Sequence, residues 1–253
     1  MIKKMICRSF FLILVLTSGI PLFFTGGSIV KTSTAAIMDY HANEIGELPS
    51  ETDSVIKIIN PRSGDTIHRD SRFRYQIEIE DPLSSDPVTP FDILLTITFL
   101  PENGDSTIDD LKIFDENEHP GLTMIREKSC FSCHSDKSRM LGPSFFEIFE
   151  RYGAGTSAIE TVNSSIKNGA SQKWSNQEMP AYSELAEDDL LAISSFILNQ
   201  GSDSRSRIVT GAEGVLSVAE LVESGSRGHL VFSASYVDRK GQRFTDSVLT
   251  DLR

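Results

Sequence analysis

The feature that most constrains this chain is a five-residue motif, Cys130-Phe131-Ser132-Cys133-His134. Two thiols separated by two residues and followed at once by a histidine are typical of a c-type haem attachment site. In such a site each cysteine is joined to one vinyl group of the haem, and the histidine binds the iron as its proximal axial ligand. We therefore predict one covalently attached haem c, held by Cys130 and Cys133, with His134 on the iron.

Two other uses of a cysteine pair are a thioredoxin-like redox centre and half of a zinc site. A structural zinc site needs about four ligands, and the chain has only 3 cysteines, so it has no second pair. A thioredoxin-like pair lies near a strand–helix–strand pattern, and no such pattern surrounds residues 130–134. Haem attachment is therefore the favoured interpretation.

The iron needs either a second axial ligand or an open site, and Met179 is the natural candidate for the ligand. It lies 45 residues after His134 in the loop Glu178-Met179-Pro180, whereas Met124 and Met140 are only 10 and 6 residues away. Met179 stands beside a proline in a loop and not on the apolar face of a helix. This position favours a role as iron ligand over a role in core packing. The alternative is that Met179 is ordinary core packing.

The first 36 residues predict export from the cytoplasm. Basic residues precede an uncharged stretch, Ser9–Val30, and small residues follow it, which is the layout of a signal peptide cleaved after Ala35 or Ala36. The alternative is an uncleaved membrane anchor, because the stretch has 22 residues and this is long enough to span a bilayer. Either reading predicts a periplasmic or cell-envelope protein, and residues 37–54 then form a polar linker.

The formal net charge is −12, and without the first 36 residues it is −16. Such a surface repels nucleic acid and anionic membranes and would suit a basic partner, or serve only solubility. We therefore expect no nucleic-acid partner, and membrane contact only through a possible N-terminal anchor.

Residues 55–101 and 205–253 carry strand patterns. Phe73–Glu80 and Phe91–Phe99 alternate apolar and polar side chains with a period of two, which predicts antiparallel strands with one buried face. The first block is too small to be a complete sandwich, and a hairpin over Leu230–Leu252 would be marginal alone. We therefore expect the C-terminal segment, with Arg207–Thr210, to complete the sandwich that begins at Val55.

Residues 120–200, in contrast, have the spacing of helices. A short helix from Leu122 to Ser129 leads into the motif, Ser144–Tyr152 and Thr156–Asn168 each have one apolar face, and a last helix begins at the acidic turn Glu187-Asp188-Asp189.

This helical region resembles the class I cytochrome c family, in its short bacterial form. The residues that carry the resemblance are the CFSCH motif, Leu141-Gly142-Pro143-Ser144-Phe145, Trp174, and Met179-Pro180 before the closing helix. The resemblance implies that the carbonyl of Pro143 accepts a hydrogen bond from His134 and that Trp174 hydrogen-bonds a haem propionate; Trp174 could also be mere packing. Relatives have a glycine-rich run before the tryptophan, whereas this chain has Asn168-Gly169-Ala170-Ser171-Gln172-Lys173, which puts the backbone contacts there in doubt.

The β segments resemble immunoglobulin-like domains of the polycystic-kidney-disease (PKD) type. Together the arrangement is similar to the cytochrome-containing part of bacterial proteins that join a quinoprotein sugar dehydrogenase to a cytochrome c. The implied fold class is α+β multidomain, with an all-α class I cytochrome c domain inserted in, or following, a small antiparallel Ig-like β-sandwich.

The resulting hypothesis is a periplasmic electron carrier with His134 and Met179 as metal ligands and no catalytic residues. The resemblance implies a dehydrogenase as donor, with sugar dehydrogenases as the candidate class, and an oxidase as acceptor. The alternatives are a haem sensor or enzyme with an open distal site, and a module whose β-sandwich binds a partner or carbohydrate. The second is less favoured because the aromatic residues of the strands all read as inward-facing: Phe73, Tyr75, Phe91, Phe99, Phe232 and Tyr236.

Overall fold

Strands occupy both ends of the described chain, and helices lie between them. The computed structural model describes residues 54–82, 84, 87–102, 118–174, 177–222 and 226–253. The expected leader or anchor and almost all of the expected linker lie outside these residues. Within the described ranges, no helix combines the length and the apolar character needed to cross a membrane.

The elements follow one another in a simple order. Four strands come first: β1 (Val55–Asn60), β2 (Thr66–Ile67), β3 (Arg72–Glu80) and β4 (Ile93–Pro101). Four helices follow: α1 (Pro120–Glu127), α2 (Phe145–Tyr152), α3 (Thr156–Asn168) and α4 (Glu187–Ser202). Four more strands complete the chain: β5 (Ser206–Thr210), β6 (Glu213–Ser217), β7 (Gly228–Val237) and β8 (Arg243–Leu252).

The strands form two sheets, which we call together the β region. One sheet has the order β1-β3-β6 and the other the order β2-β8-β7-β4-β5. All neighbours are antiparallel except β2 and β8. Strand β4 precedes the helices, whereas its two neighbours β5 and β7 follow them, so the helical region leaves and re-enters the same sheet.

The two sheets share one hydrophobic core. Tyr75 and Ile77 of β3 are buried while Arg74 and Glu78 are exposed, as the period-two pattern predicts. Phe232 of the larger sheet is fully buried, and its ring lies 5.2 Å from that of Phe73 on the smaller sheet, edge to face. The core therefore joins strands from both ends of the chain.

The predicted strand from Phe91 is wrong at its first two residues. Pro90–Asp92 form a 3-10 turn, and Phe91 is exposed rather than inward-facing. The turn is closed where the backbone N–H of Thr89 donates to the Asp92 carboxylate at 2.7 Å, and this contact competes with strand extension. The short strands β2 and β6 have no clear pattern in the sequence, and the second arm of the predicted hairpin is β8, which begins at Arg243.

Strand β4 is buried on both faces. Ile93, Leu95, Ile97 and Phe99 belong to the core between the sheets, whereas Leu94 is 1% exposed and packs among the helices with Ile208 of β5. Leu94 and Ile208 are the residues of the larger sheet that belong to the hydrophobic cluster of the helices. The helical region thus lies directly against the outer face of the larger sheet.

Helices α1 and α4 cross in close contact. A Cβ atom on Gly121 would lie 2.1 Å from the carbonyl oxygen of Ala192, so only glycine allows this approach. Helix α1 begins at Pro120, two residues before the predicted Leu122. The crossing fixes α1, and therefore the start of the segment that carries both cysteines.

Replacing Leu95 by alanine tests the shared core. Leu95 is fully buried between the sheets, and loss of such a side chain costs about 2–5 kcal/mol of unfolding free energy. Val215 of β6 is 63% exposed, so Val215→Ala is the matched control and should change stability by less than about 0.5 kcal/mol. Urea unfolding followed by circular dichroism measures both, and equal effects would contradict the described core.

Candidate haem site

The motif residues 130–134 form a tight turn after α1. Cys130–Ser132 are a 3-10 turn, and the backbone N–H of His134 donates to the carbonyl of Cys130 at 3.0 Å. Cys130, Cys133 and His134 all line one cavity in the helical region. All the residues lining this cavity lie between Lys128 and Ile197, so no described strand contributes a wall.

His134 is oriented by the hydrogen bond that the sequence resemblance implies. Its Nδ1 lies 2.7 Å from the carbonyl oxygen of Pro143, and a carbonyl can only accept, so Nδ1 carries the hydrogen. Nε2 then keeps its lone pair. Burial lowers the pKa of His134, and the bond to Pro143 acts in the opposite direction; the neutral imidazole is the form that binds a metal ion.

Gly142 provides the space for this histidine. A Cβ atom on residue 142 would lie 2.4 Å from Cε1 and 2.9 Å from Nε2 of His134. The Gly142 N–H also donates to the Cys133 carbonyl at 2.8 Å, which draws residues 142 and 143 back over the motif. The next residue, Ser144, begins α2 through a reciprocal capping box with Glu147.

Met179 is placed on the cavity wall by a short backbone pairing. Residues 170 and 179 exchange two hydrogen bonds, of 3.1 and 2.8 Å. Gly169 ends α3 with a φ of +74°, and a Cβ there would lie 2.8 Å from the Met179 carbonyl oxygen. The segment that departs from the family's glycine-rich run therefore still has a glycine at the reversal, and it returns the chain toward the cavity.

Trp174 lies on the same cavity, at a cluster of cations. The Arg151 guanidinium lies 4.5 Å from the Trp174 ring centroid, and the Tyr152 ring contacts it edge to face. Arg139 donates to the Trp174 carbonyl at 3.1 Å and pairs with Glu147 at 2.8 Å. The two arginines were missed by the sequence reasoning, because nothing in their local pattern distinguishes them from solvated surface cations.

Burial changes the acidity of the first thiol of the motif. Both cysteines are free and half-buried, and burial raises the pKa of the Cys130 thiol to about 11. A reactive cysteine of the thioredoxin kind has a pKa lowered toward neutrality by nearby positive charge or a helix N-terminus. Cys130 therefore lacks this signature of a reactive thiol.

The residues present fit a covalently held haem. Two thiols, an imidazole with a free Nε2 and a thioether line one largely apolar cavity, which is the donor set of a c-type centre with histidine and methionine ligands. The fold and the cavity thus define a c-type haem protein.

The family model and the sequence relatives agree with this class. The family model described as cytochrome c matches residues 119–201. Cytochrome c-551 of Pseudomonas denitrificans is 32% identical over 60 residues, which are 24% of this chain and 73% of that protein. Cytochrome c-551 of Azotobacter vinelandii is 33% identical over 60 residues, which again are 24% of this chain and 73% of that protein. The crystal structure of Nitrosomonas europaea cytochrome c552 aligns with a TM-score of 0.30 and 24% identity, covering 31% of this chain and 98% of that one.

The chain therefore belongs to the cytochrome c family. Its cofactor is covalently bound c-type haem, and its chemistry is haem-based electron transfer with redox partner proteins. The assignments of Cys130, Cys133, His134, Pro143, Trp174 and Met179 to individual roles remain predictions, which the geometry above allows to be tested one residue at a time.

Gly142→Ala should impair the proximal side of the site. The added methyl group would overlap the His134 ring, so the ring must turn away from Pro143 or residues 142–143 must move. We expect a several-fold lower yield of covalently bound haem, measured by haem absorbance per protein. Leu191→Ala is the control, because this side chain is 48% exposed on α4 and does not line the cavity; equal haem yields in the two variants would contradict this role of Gly142.

Proposed function

We propose that this protein is an exported, single-haem electron carrier in which His134 and Met179 are the two axial ligands of the iron. The observation that supports the proposal is the placement of both side chains on one cavity that also holds the two thiols. The haem supplies a one-electron centre when bound. A methionine–histidine pair leaves no open coordination position and raises the reduction potential, so the protein is a carrier and not an enzyme.

The residues around the cavity divide the remaining work. Cys130 and Cys133 hold the cofactor covalently, and Pro143 holds the His134 ring in one tautomer and orientation. Trp174, positioned by Arg151, is proposed to hydrogen-bond a propionate.

Electron exchange requires one edge of the cofactor to be accessible to partners. Leu141 lines the cavity and is 58% exposed, and the adjacent Met140 is 44% exposed. Exposed apolar side chains beside a redox cavity suit brief encounters of small contact area. The proposed donor is a periplasmic dehydrogenase, of which a quinoprotein sugar dehydrogenase is the first candidate, and the proposed acceptor is a respiratory oxidase.

The β region is proposed to be an Ig-like, PKD-type sandwich into which the cytochrome domain is inserted. Support comes from the pairing of β4 with β5 and β7, which lie on the other side of the helices in sequence. Residues 1–36 are proposed to direct export, with or without retention as an anchor, and residues 37–54 to separate this unit from the membrane.

Met179→Ala tests the ligand assignment. Loss of the thioether should abolish the methionine–iron charge-transfer absorption of the oxidised protein, and the reduced variant should bind carbon monoxide rapidly because a coordination position is open. Met140→Ala is the control, since Met140 is exposed and near His134 in sequence. Persistence of the band in Met179→Ala, or rapid carbon monoxide binding by the reduced wild type, would contradict the proposal and favour a sensor or an enzyme.

Leu141→Asp tests the docking surface. Mixing oxidised protein with a reduced quinoprotein dehydrogenase and following the haem absorption gives the second-order rate constant. We expect about a tenfold lower rate constant, equivalent to about 1.4 kcal/mol added to the activation free energy of electron exchange. Leu191→Asp is the control, because Leu191 is 48% exposed on α4 but does not line the cavity. Failure of the wild type to accept electrons from this enzyme class would exclude the proposed donor.

A further inference from the structure

The segment that carries the haem motif, residues 130–134, is connected to the β region on both sides, although no described strand lines the cavity. The two joining residues are Arg126, four residues before Cys130, and Asp136, two residues after His134. The contacts of these two residues point to a role of the β region at the haem site that the residues lining the cavity do not show by themselves.

The first contact is made by Arg126 at the end of α1. Its side chain is 7% exposed, and Nη2 donates to the Ser235 hydroxyl of β7 at 2.8 Å. The same nitrogen contacts Glu118 at 2.7 Å, which neutralises the buried charge. Nη1 reaches the carbonyl of Asp92, just before β4, at 3.4 Å. Arg126 therefore connects the last turn of α1 to β7 and to the 3-10 turn that precedes β4.

The second contact is made by Asp136. It is 1% exposed, and its Oδ2 accepts the backbone N–H of Ile208 in β5 at 2.9 Å. Strand β5 is the edge of its sheet, so without this carboxylate one of its outward N–H groups would be buried and unpaired, at a cost of about 1–3 kcal/mol.

Asp136 also belongs to the framework that orients His134. Its carbonyl accepts the N–H of Phe146 at 3.0 Å, and the carbonyl of Ser135 accepts the N–H of Phe145 at 2.9 Å. These bonds fix the start of α2, which directly follows Pro143, the acceptor for His134. A shift of residue 136 away from β5 would therefore move both the histidine and its hydrogen-bond partner.

We propose that Arg126 and Asp136 are positioning residues through which the β region fixes the orientation of the His134 ring. The β region then acts as a platform for the cofactor segment, and its removal or distortion changes the electronic state of the haem without touching it. This inference rests on the proposed assignment of His134 as iron ligand.

The primary test compares Asp136→Ala with Asp136→Asn in the haem-loaded protein. The haem methyl proton resonances of the oxidised form report the orientation of the axial ligands. Asp136→Ala removes the acceptor for Ile208, so we expect a changed spread of these resonances and a shifted reduction potential. Asparagine keeps an oxygen that can accept the same N–H, so Asp136→Asn should restore the wild-type methyl pattern even if loss of charge still shifts the potential.

Two further variants keep the test decisive. Ser235→Ala removes the hydroxyl of β7 that accepts a hydrogen bond from Arg126, and it buries no new group. The variant should still fold, and its haem methyl resonances should change. Glu213→Gln is the control: it breaks the Arg74–Glu213 ion pair within the smaller sheet, far from the motif in sequence and in sheet order, and it should leave the pattern unchanged.

The outcomes separate the inference from the proposed function. Unchanged methyl resonances in folded Asp136→Ala and Ser235→Ala, or equal changes in Asp136→Ala and Asp136→Asn, would overturn the positioning role. Protection of the Ile208 amide from hydrogen exchange, present in the wild type and lost in Asp136→Ala, measures the contact itself and does not depend on which residue binds iron. A wild type without the spectrum of histidine–methionine ligation would overturn the proposed function instead.

Discussion

The hydrogen bond between His134 and Pro143 is the contact on which the site depends. At 2.7 Å it determines which ring nitrogen is free, and it requires the chain to return over the motif within nine residues. That return is possible because residue 142 has no side chain to meet the imidazole and because Ser144 can at once begin α2 with its own cap. The motif, the chain reversal and the start of α2 are therefore one local structure.

A local structure of this kind still needs support, and the order of the strands supplies it. Because β5 and β7 both flank β4, the chain leaves the sheet at β4 and returns beside it, so the helical region is held at both ends by strands that are hydrogen-bonded to each other. Leu94 and Ile208, on those same two strands, then pack into the helical core. Arg126 and Asp136 add polar contacts at the same surface, where leaving either partner unpaired would cost more than the net contribution of the bond. Apolar packing holds the helical region against the sheet, and the polar contacts of Arg126 and Asp136 favour one position of the helical region on it.

The sequence predicted features that depend on short-range spacing better than features that depend on contacts between distant segments. The CFSCH motif indicated the cofactor, and the cytochrome c comparisons agree. The alternation in β3 and the apolar faces of α2 and α3 follow from residues two to four apart, and they appear where expected, except that Phe146, expected on the apolar face of α2, is 42% exposed. In contrast, the contact of Arg126 with Ser235 joins residues 109 apart, and that of Asp136 with Ile208 joins residues 72 apart. A buried arginine and an exposed one have the same local sequence pattern. The second buried face of β4 was missed for a related reason: Leu94 beside Leu95 interrupts the alternation, but the sequence does not indicate what covers Leu94. Phe91 was wrongly placed in the strand because it continues the alternation, although Thr89 and Asp92 close a turn around it.

Charge requires the same distinction between the whole chain and the site. The net charge of −12 suggested a basic partner, but exposed charges interact little beyond a Debye length of about 8–10 Å at physiological salt. The charged residues lining the cavity are Lys128, Lys173 and Glu178, and Arg139 and Arg151 lie against Trp174 beside it. Lys128 is paired with Glu184 at 3.6 Å, and Lys173 donates to the Ser165 hydroxyl of α3 at 3.1 Å. Arg139 is likewise paired with Glu147, so much of the charge around the cavity is balanced by nearby partners, and the net charge of the whole chain bears on solubility rather than on this site.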